Sequence, residues 1–219
     1  MPERIKWDKT GERKYETGVD HGVFYPFSQT KGYTPGTPWN GLTNVTENPS
    51  GGEETPLYAD NIKYASLYSA EEYGVKIEAY TYPDEFAECD GSAAFVEGVR
   101  IRQQKRKSFG LCYRTLNGND TPDDDDDGYT LHLVYGCMAT PSERSHDTQN
   151  SSPDAVKMSW DVKTVPVSVE GFKPTSVMEI DSRTIGAEKL KKLEDVLYGS
   201  ETADAKLPTP DEVKALLAG

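Results

Sequence analysis

The stretch Phe109-Gly-Leu-Cys-Tyr-Arg-Thr-Leu116 and the later stretch Tyr129-Thr-Leu-His-Leu-Val-Tyr-Gly-Cys-Met138 decide the fold. Apolar or aromatic residues occupy every second position of both stretches, which is the period of a β-strand with one buried face. The residues between them, 117–128, are rich in Gly, Asn and Asp, the residue types of turns and loops. The pattern predicts a long antiparallel β-hairpin.

The predicted hairpin carries opposite charges at its two ends. Lys105, Arg106 and Lys107 precede the first arm, and five consecutive aspartates form the tip: Asp123, Asp124, Asp125, Asp126 and Asp127. An arm of about eight residues is roughly 26 Å long, so the two clusters are expected at opposite ends of one sheet. A subunit with unlike ends can stack head to tail, which makes these residues candidate contacts between subunits.

The composition favours a mainly β protein with a modest core. The 219 residues suit one domain with an appendage. Thirteen tyrosines and 35% hydrophobic residues provide for strands and a core, whereas 28% charged residues, 19 Gly and 14 Pro indicate extensive loops.

The net charge of -13 argues against a protein that neutralises nucleic-acid phosphates. No apolar run approaches 18 residues and no apolar segment follows the N-terminus, so the sequence predicts no membrane span, no signal peptide and synthesis in a cytoplasm. Cys89, Cys112 and Cys137 show no CxxC spacing, which suits a reducing compartment. If odd-numbered residues of the hairpin pair with odd ones, Cys112 and Cys137 point to opposite sides and form no disulfide, unless a bulge shifts the parity.

The pattern along the chain divides it into three parts. Residues 1–20 mix charges with the isolated aromatics Trp7 and Tyr15 and are predicted to be an extended arm. These aromatics either tuck back onto the domain or dock on a neighbouring copy. Residues 21–185 contain the strands, with one short helix predicted at 83–89. The period of residues 57–70 is ambiguous between helix and strand.

Residues 186–219 form a predicted helical extension. Leucine and valine recur at helical spacing in residues 188–198, and Thr209-Pro-Asp-Glu212 is a capping box that opens a second helix. Each helix has one narrow apolar stripe, so it must pack either on its own β domain or on another subunit.

The sequence contains only incomplete motifs for metal binding, nucleotide binding or catalysis. Asp123, Asp125, Asp127 and Gly128 match the first half of an EF-hand loop, but the twelfth position is Val134 instead of Glu. The three histidines lack paired metal-ligand spacing, and His132 is expected at a surface or interface on the polar side of its strand. Phosphate-binding glycine motifs do not occur. We therefore predict no cofactor, no dedicated metal site and no enzymatic activity.

Short segments of the chain resemble, in one order, the major tail protein (tail tube protein) of long-tailed bacteriophages. They are Trp39-Asn-Gly-Leu42, Leu57-Tyr-Ala-Asp-Asn-Ile-Lys-Tyr64, Ile77-Glu-Ala-Tyr-Thr-Tyr-Pro-Asp-Glu-Phe86, Asp90-Gly91, Phe109-Gly-Leu-Cys-Tyr-Arg-Thr115, Asn119-Asp-Thr121, Tyr129-Thr-Leu-His-Leu-Val-Tyr135, Ser152-Pro153 and Ser159-Trp160. The resemblance covers most of the chain. The five aspartates are not part of the family's pattern.

The resemblance implies a β-sandwich or barrel-like tail tube fold with one short flanking helix. It also implies a structural virion protein whose hexameric rings stack into a hollow tube, through which DNA passes without specific binding. The implied partners are further copies of the chain and the tape measure, tail terminator and tail tip proteins. The implied location is the virion tail, with assembly in the host cytoplasm. The alternative is a soluble acidic β-sandwich binding module that holds a ligand or divalent cation at the aspartate loop.

Overall fold

Antiparallel strands dominate the structure, a computed structural model that describes residues 4–121, 128–146, 148 and 155–218. With 45% strand and 14% helix, the protein is mainly β, as the sequence predicts. The strands are β1 (Tyr15–Ser28), β2 (Gly32–Tyr33), β3 (Thr37–Pro38), β4 (Leu42–Glu47), β5 (Ser50–Gly51), β6 (Glu54–Ala59), β7 (Ile62–Tyr68), β8 (Glu71–Glu72), β9 (Gly74–Ala79), β10 (Ala93–Val96), β11 (Val99–Ile101), β12 (Phe109–Gly118), β13 (Tyr129–Ala139), β14 (Met158–Lys163) and β15 (Val177–Asp181). The helices are a 3-10 helix (Asp84–Glu88), α1 (Ser182–Ile185), α2 (Ala187–Leu197) and α3 (Pro210–Ala218).

The predicted hairpin is confirmed as the antiparallel pair β12–β13. Leu111 lies opposite Val134 and Cys112 opposite Leu133. The prediction of one buried face is wrong, because both faces of these strands are covered by apolar cores. The part of the pair formed by residues 109–113 and 131–135 therefore lies inside the protein instead of at its surface.

The large sheet changes partners along β13. Its order is β2-β1-β12-β13-β14-β9-β4, with β15 also beside β13 and β3 beside β1. Residues 130–134 of β13 pair with β15, whereas Met138 and Ala139 pair with β14. The sheet thus consists of two halves: the first half-sheet contains β1, β12, β13 and β15, and the second half-sheet contains β14, β9 and β4.

An aromatic core packs between the two half-sheets. Phe86 of the 3-10 helix lies at its centre, with ring centroids 4.7 Å from Trp39, 5.3 Å from Phe109 and 5.3 Å from Trp160. These partners come from both half-sheets and from the segment that leads into β4. The short helix therefore closes this core, in a sandwich-like arrangement.

The C-terminal helices cover the other face of the first half-sheet. Leu193, Leu197 and Val213 are buried against a cluster that includes Leu131 and Leu133 of β13. The capping box forms, because the Thr209 amide donates to Glu212 Oε2 at 2.8 Å and the Glu212 amide donates to Thr209 Oγ1 at 3.4 Å. Of the two alternatives for residues 186–219, the structure shows packing on the chain's own sheet.

All three cysteines are free and buried, and Cys112 and Cys137 lie in different cores. The absence of a bond between this pair is confirmed, but the predicted parity is wrong for most of the hairpin, where odd residues pair with even ones. A register shift between Phe109 and Leu111 accompanies Gly136, which has a φ of 60°. A Cβ there would lie 2.1 Å from the Val165 carbonyl oxygen, so this irregularity requires glycine.

None of the helices in the described ranges is long and apolar enough to cross a membrane.

Candidate assembly surfaces

The predicted basic cluster lies in the loop before β12 and is partly neutralised within the chain. Lys107 forms an ion pair with Glu88, and this hydrogen bond raises the pKa of the Lys107 ammonium. Arg106 donates from Nη2 to the Asp90 carbonyl oxygen at 3.1 Å. Lys105 is exposed. This end of the hairpin is therefore less positive than the sequence alone indicates.

The aspartate tip, residues 123–127, lies outside the described residues. Its flanks, Thr121 and Gly128, follow the end of β12 and precede β13, at the opposite end of the hairpin from the basic cluster. Asp120 accepts a hydrogen bond from the Gly11 amide at 2.8 Å, and its Oδ2 is 3.6 Å from Arg13 Nη1. The N-terminal segment therefore runs alongside the acidic end.

The N-terminal arm is shorter than predicted, because β1 begins at Tyr15 and includes residues 15–20. Tyr15 pairs with Gly118, and its ring fills the space that a side chain at position 118 would need. Trp7 is 75% exposed and does not tuck back into a core. Docking of Trp7 on a neighbouring copy stays a prediction.

The segment with the ambiguous period forms a β-hairpin, β6–β7, whose strands pair only with each other among the described strands. Asp60 and Asn61 make its turn, and both have positive φ angles, 51° and 63°. Two consecutive residues with positive φ are the requirement of a type I′ turn, and Asn and Asp tolerate it best after glycine. The local sequence thus explains the turn.

Apolar side chains project from this hairpin into solvent. Both strands are almost entirely exposed, and neither core contains one of their residues. The exposed fractions are 41% for Leu57, 71% for Tyr58, 66% for Ile62, 75% for Tyr64, 56% for Leu67 and 69% for Tyr68. An isolated two-stranded hairpin is marginally stable in water, and contiguous exposed apolar surface marks interaction sites. The β6–β7 hairpin is therefore a candidate binding surface for another protein or another copy of the chain.

A second hairpin, β10–β11, also exposes apolar side chains. Phe95 is 68% exposed, Val96 57%, Val99 46% and Ile101 41%. Its two strands also pair only with each other among the described strands. Arg100 fixes its base by donating to Asp84 of the 3-10 helix at 2.9 Å.

The β6–β7 hairpin precedes β9 in the chain, and the β10–β11 hairpin follows it. The chain leaves the second half-sheet at Glu47, which lies opposite Val75, makes the β6–β7 hairpin and returns at Gly74. It leaves again after Ala79, at the other end of β9, and continues through the 3-10 helix to β10–β11. The protein thus presents two different apolar surfaces that the chain connects to opposite ends of one strand.

The sequence prediction missed both hairpins as candidate contacts. A local signal exists for the first, since the dipeptide Asp60-Asn61 separates two apolar runs. The exposure of Tyr58 and Tyr64 has no such signal, because core strands and interface strands carry the same residue types.

Comparison with known proteins does not assign the chain to a family. No protein-family model matches it, and a search of curated proteins finds no match.

Proposed function

We propose that the chain is a tail tube subunit, a structural virion protein whose copies form rings that stack into a hollow tube. The observation that carries this proposal is the pair of unlike apolar hairpins, β6–β7 and β10–β11, which the chain connects to opposite ends of β9. The resemblance of short sequence segments to the major tail proteins of long-tailed phages supports it.

The geometry of the surfaces favours open stacking. A contact between two different surfaces repeats without closing unless the operation that relates the copies is a pure rotation. If the β6–β7 hairpin of one copy packs on the β10–β11 hairpin of the next, the contact is of this head-to-tail kind. Each contact also removes exposed tyrosine and leucine side chains from water, at about 25 cal/mol per Å² of apolar surface.

Lateral contacts supply the ring. Strand β4 ends the order of the large sheet at one side, and an edge strand of this kind, without a second partner among the described strands, invites pairing with another chain. We propose that neighbouring subunits join there and that their sheets line the lumen. An excess of negative charge on that wall repels phosphates at short range, so DNA passes without sticking.

The partners in this proposal are other copies of the chain, together with the tape measure, tail terminator and tail tip proteins that the resemblance implies. The alternative, a soluble binding module at the aspartate loop, requires no contact between copies. The state of association therefore separates the two functions.

Size-exclusion chromatography with negative-stain imaging tests the proposal. We expect rings or tubes from the wild-type chain at high concentration. The double variant Tyr58→Ser and Tyr64→Ser should remain small, with unchanged circular dichroism, because neither residue belongs to a core. Tyr80→Ser removes a 52% exposed tyrosine outside both hairpins and is the matched control, which should assemble. A wild-type chain that stays monomeric at every concentration would contradict the proposal.

A further inference from the structure

Three side chains from distant parts of the sequence meet at one end of the aromatic core. His132 lies on β13, and Glu179 lies directly opposite it on β15. Glu47, the last residue of β4, approaches from the second half-sheet. One ligand atom of each residue lies within 4.8 Å of the others. They line a cleft of about 470 Å³ that reaches the surface, which lets small solutes enter.

The hydrogen bonds of Thr115 fix the tautomer of His132. The Thr115 hydroxyl donates to Glu16 Oε1, and its oxygen lies 2.9 Å from His132 Nε2. A hydroxyl has one proton, so with that proton on Glu16 the oxygen accepts from Nε2–H. The neutral imidazole then has its lone pair on Nδ1, the other ring nitrogen.

His132 Nδ1 is buried and has no hydrogen-bond partner. The residue is 6% exposed, and the nearest carboxylate oxygen, Glu47 Oε1, is 3.8 Å away. Both groups are held in place, because the Tyr113 ring stacks on the imidazole at 4.5 Å and the Tyr113 hydroxyl donates to Glu47 Oε1 at 3.2 Å. The separation of 3.8 Å is too long for a hydrogen bond between Nδ1 and Glu47.

A metal ion between the two groups would join them. Two bonds of about 2.0 to 2.1 Å to a tetrahedral ion separate their ligand atoms by roughly 3.3 Å, so a small movement of the Glu47 side chain from its 3.8 Å separation would bring both atoms into range. Ligating histidines also donate their second ring N–H to an oxygen. In this protein the acceptor is the hydroxyl oxygen of Thr115. Of the two positions predicted for His132, a surface or an interface, the surface position is wrong, because the residue is buried beside Tyr113 and Glu47.

We propose that Glu47, His132 and Glu179 bind a divalent transition-metal ion of the Zn²⁺ class, with water at the fourth position. One imidazole with two carboxylates suits zinc, whereas Ca²⁺ and Mg²⁺ prefer oxygen ligands alone. Lys14 and Arg183 also line the cleft, and Arg183 is held by Asp181 at 2.8 Å. The ion would join β4 of the second half-sheet to β13 and β15 of the first. This site goes beyond the proposed function, because stacking of subunits does not require it.

Titration calorimetry of the full chain with Zn²⁺ alone tests the site. We expect one tight site, which Glu179→Gln weakens roughly 10- to 100-fold or more, because loss of a direct ligand costs at least as much as loss of an outer-shell partner. Glu179 is exposed and outside both cores, so this variant should fold, as circular dichroism would show. Glu47→Gln is the second site variant and should have the same effect.

The matched control is His21→Asn. His21 is an exposed histidine beside Asp20, and its positive φ of 49° is tolerated by Asn. The control should keep the wild-type zinc affinity, and zinc should raise the Tm of wild type and control by several degrees but not that of the Glu179 variant. Failure of the folded wild-type chain to bind Zn²⁺, or equal affinity in wild type and both site variants, would overturn the proposal. Neither result would bear on tube assembly, which is measured separately.

Discussion

Arg114 of β12 holds Asp20 of β1 with two parallel hydrogen bonds, of which Nη2 to Oδ2 is 3.0 Å. The guanidinium also lies over the Tyr129 ring, 4.7 Å from its centroid. The pair therefore joins three strands of the first half-sheet at a point where β1 has a register irregularity. Bidentate, partly buried pairs of this kind contribute more than ordinary surface pairs.

Replacing Asp20 by Asn should destabilise the protein by about 1 kcal/mol. Burial tends to raise the pKa of the Asp20 carboxyl, but the Arg114 hydrogen bond and charge outweigh it, so the pKa is lowered. A lowered pKa in the folded state contributes stability at neutral pH, and this contribution disappears as the pH falls through the folded-state pKa. The Tm difference between wild type and Asp20→Asn should therefore shrink in acid. Asp161→Asn, at an exposed strand position, is the control and should show neither effect.

Phe86→Ala should be among the most destabilising single changes. The ring contacts aromatic residues from both half-sheets, and its loss leaves a cavity that rigid neighbours cannot fill. The expected loss is about 3 to 5 kcal/mol in the free energy of unfolding, measured by urea denaturation. Phe172→Ala removes a ring that is 75% exposed and should cost little. Equal effects of the two changes would contradict the assignment of the core.

The three thiols should react slowly in the native protein. Burial raises the pKa of Cys89 to about 12 and that of Cys112 to about 12, and it also raises the pKa of Cys137. Since the thiolate is the reactive form, a disulfide reagent at neutral pH should modify these residues only as the chain unfolds. All three should react at once in denaturant. A cysteine that reacts in the native protein at the rate of a free thiol would show that its core is open.

Secondary-structure elements that depend on patterns within short segments could be predicted from the sequence. The alternation in β12 and β13 predicted the hairpin, and the capping box at Thr209 and Glu212 predicted the start of α3. The burial of both hairpin faces was not readable, because polar residues such as His132 interrupt the second face. That side chain is buried by contacts with Tyr113 on the neighbouring strand and with Glu47 from the second half-sheet.

The candidate surfaces and the candidate metal site could not be predicted from the sequence, because both depend on the tertiary structure. Tyr58 and Tyr64 would suit a core strand, and only the position of the β6–β7 hairpin outside both cores reveals their exposure. Glu47, His132 and Glu179 lie far apart in sequence, so no spacing motif joins them. Local periodicity predicts elements, whereas sites depend on contacts between elements.

Reconstruction of the assembled particle by cryo-electron microscopy tests the central claim most directly. The account predicts rings stacked in one direction, with Tyr64 of each β6–β7 hairpin buried against an unlike surface of a neighbouring copy. A particle in which identical hairpins meet across a two-fold axis, or in which Tyr64 faces solvent in every copy, would contradict it.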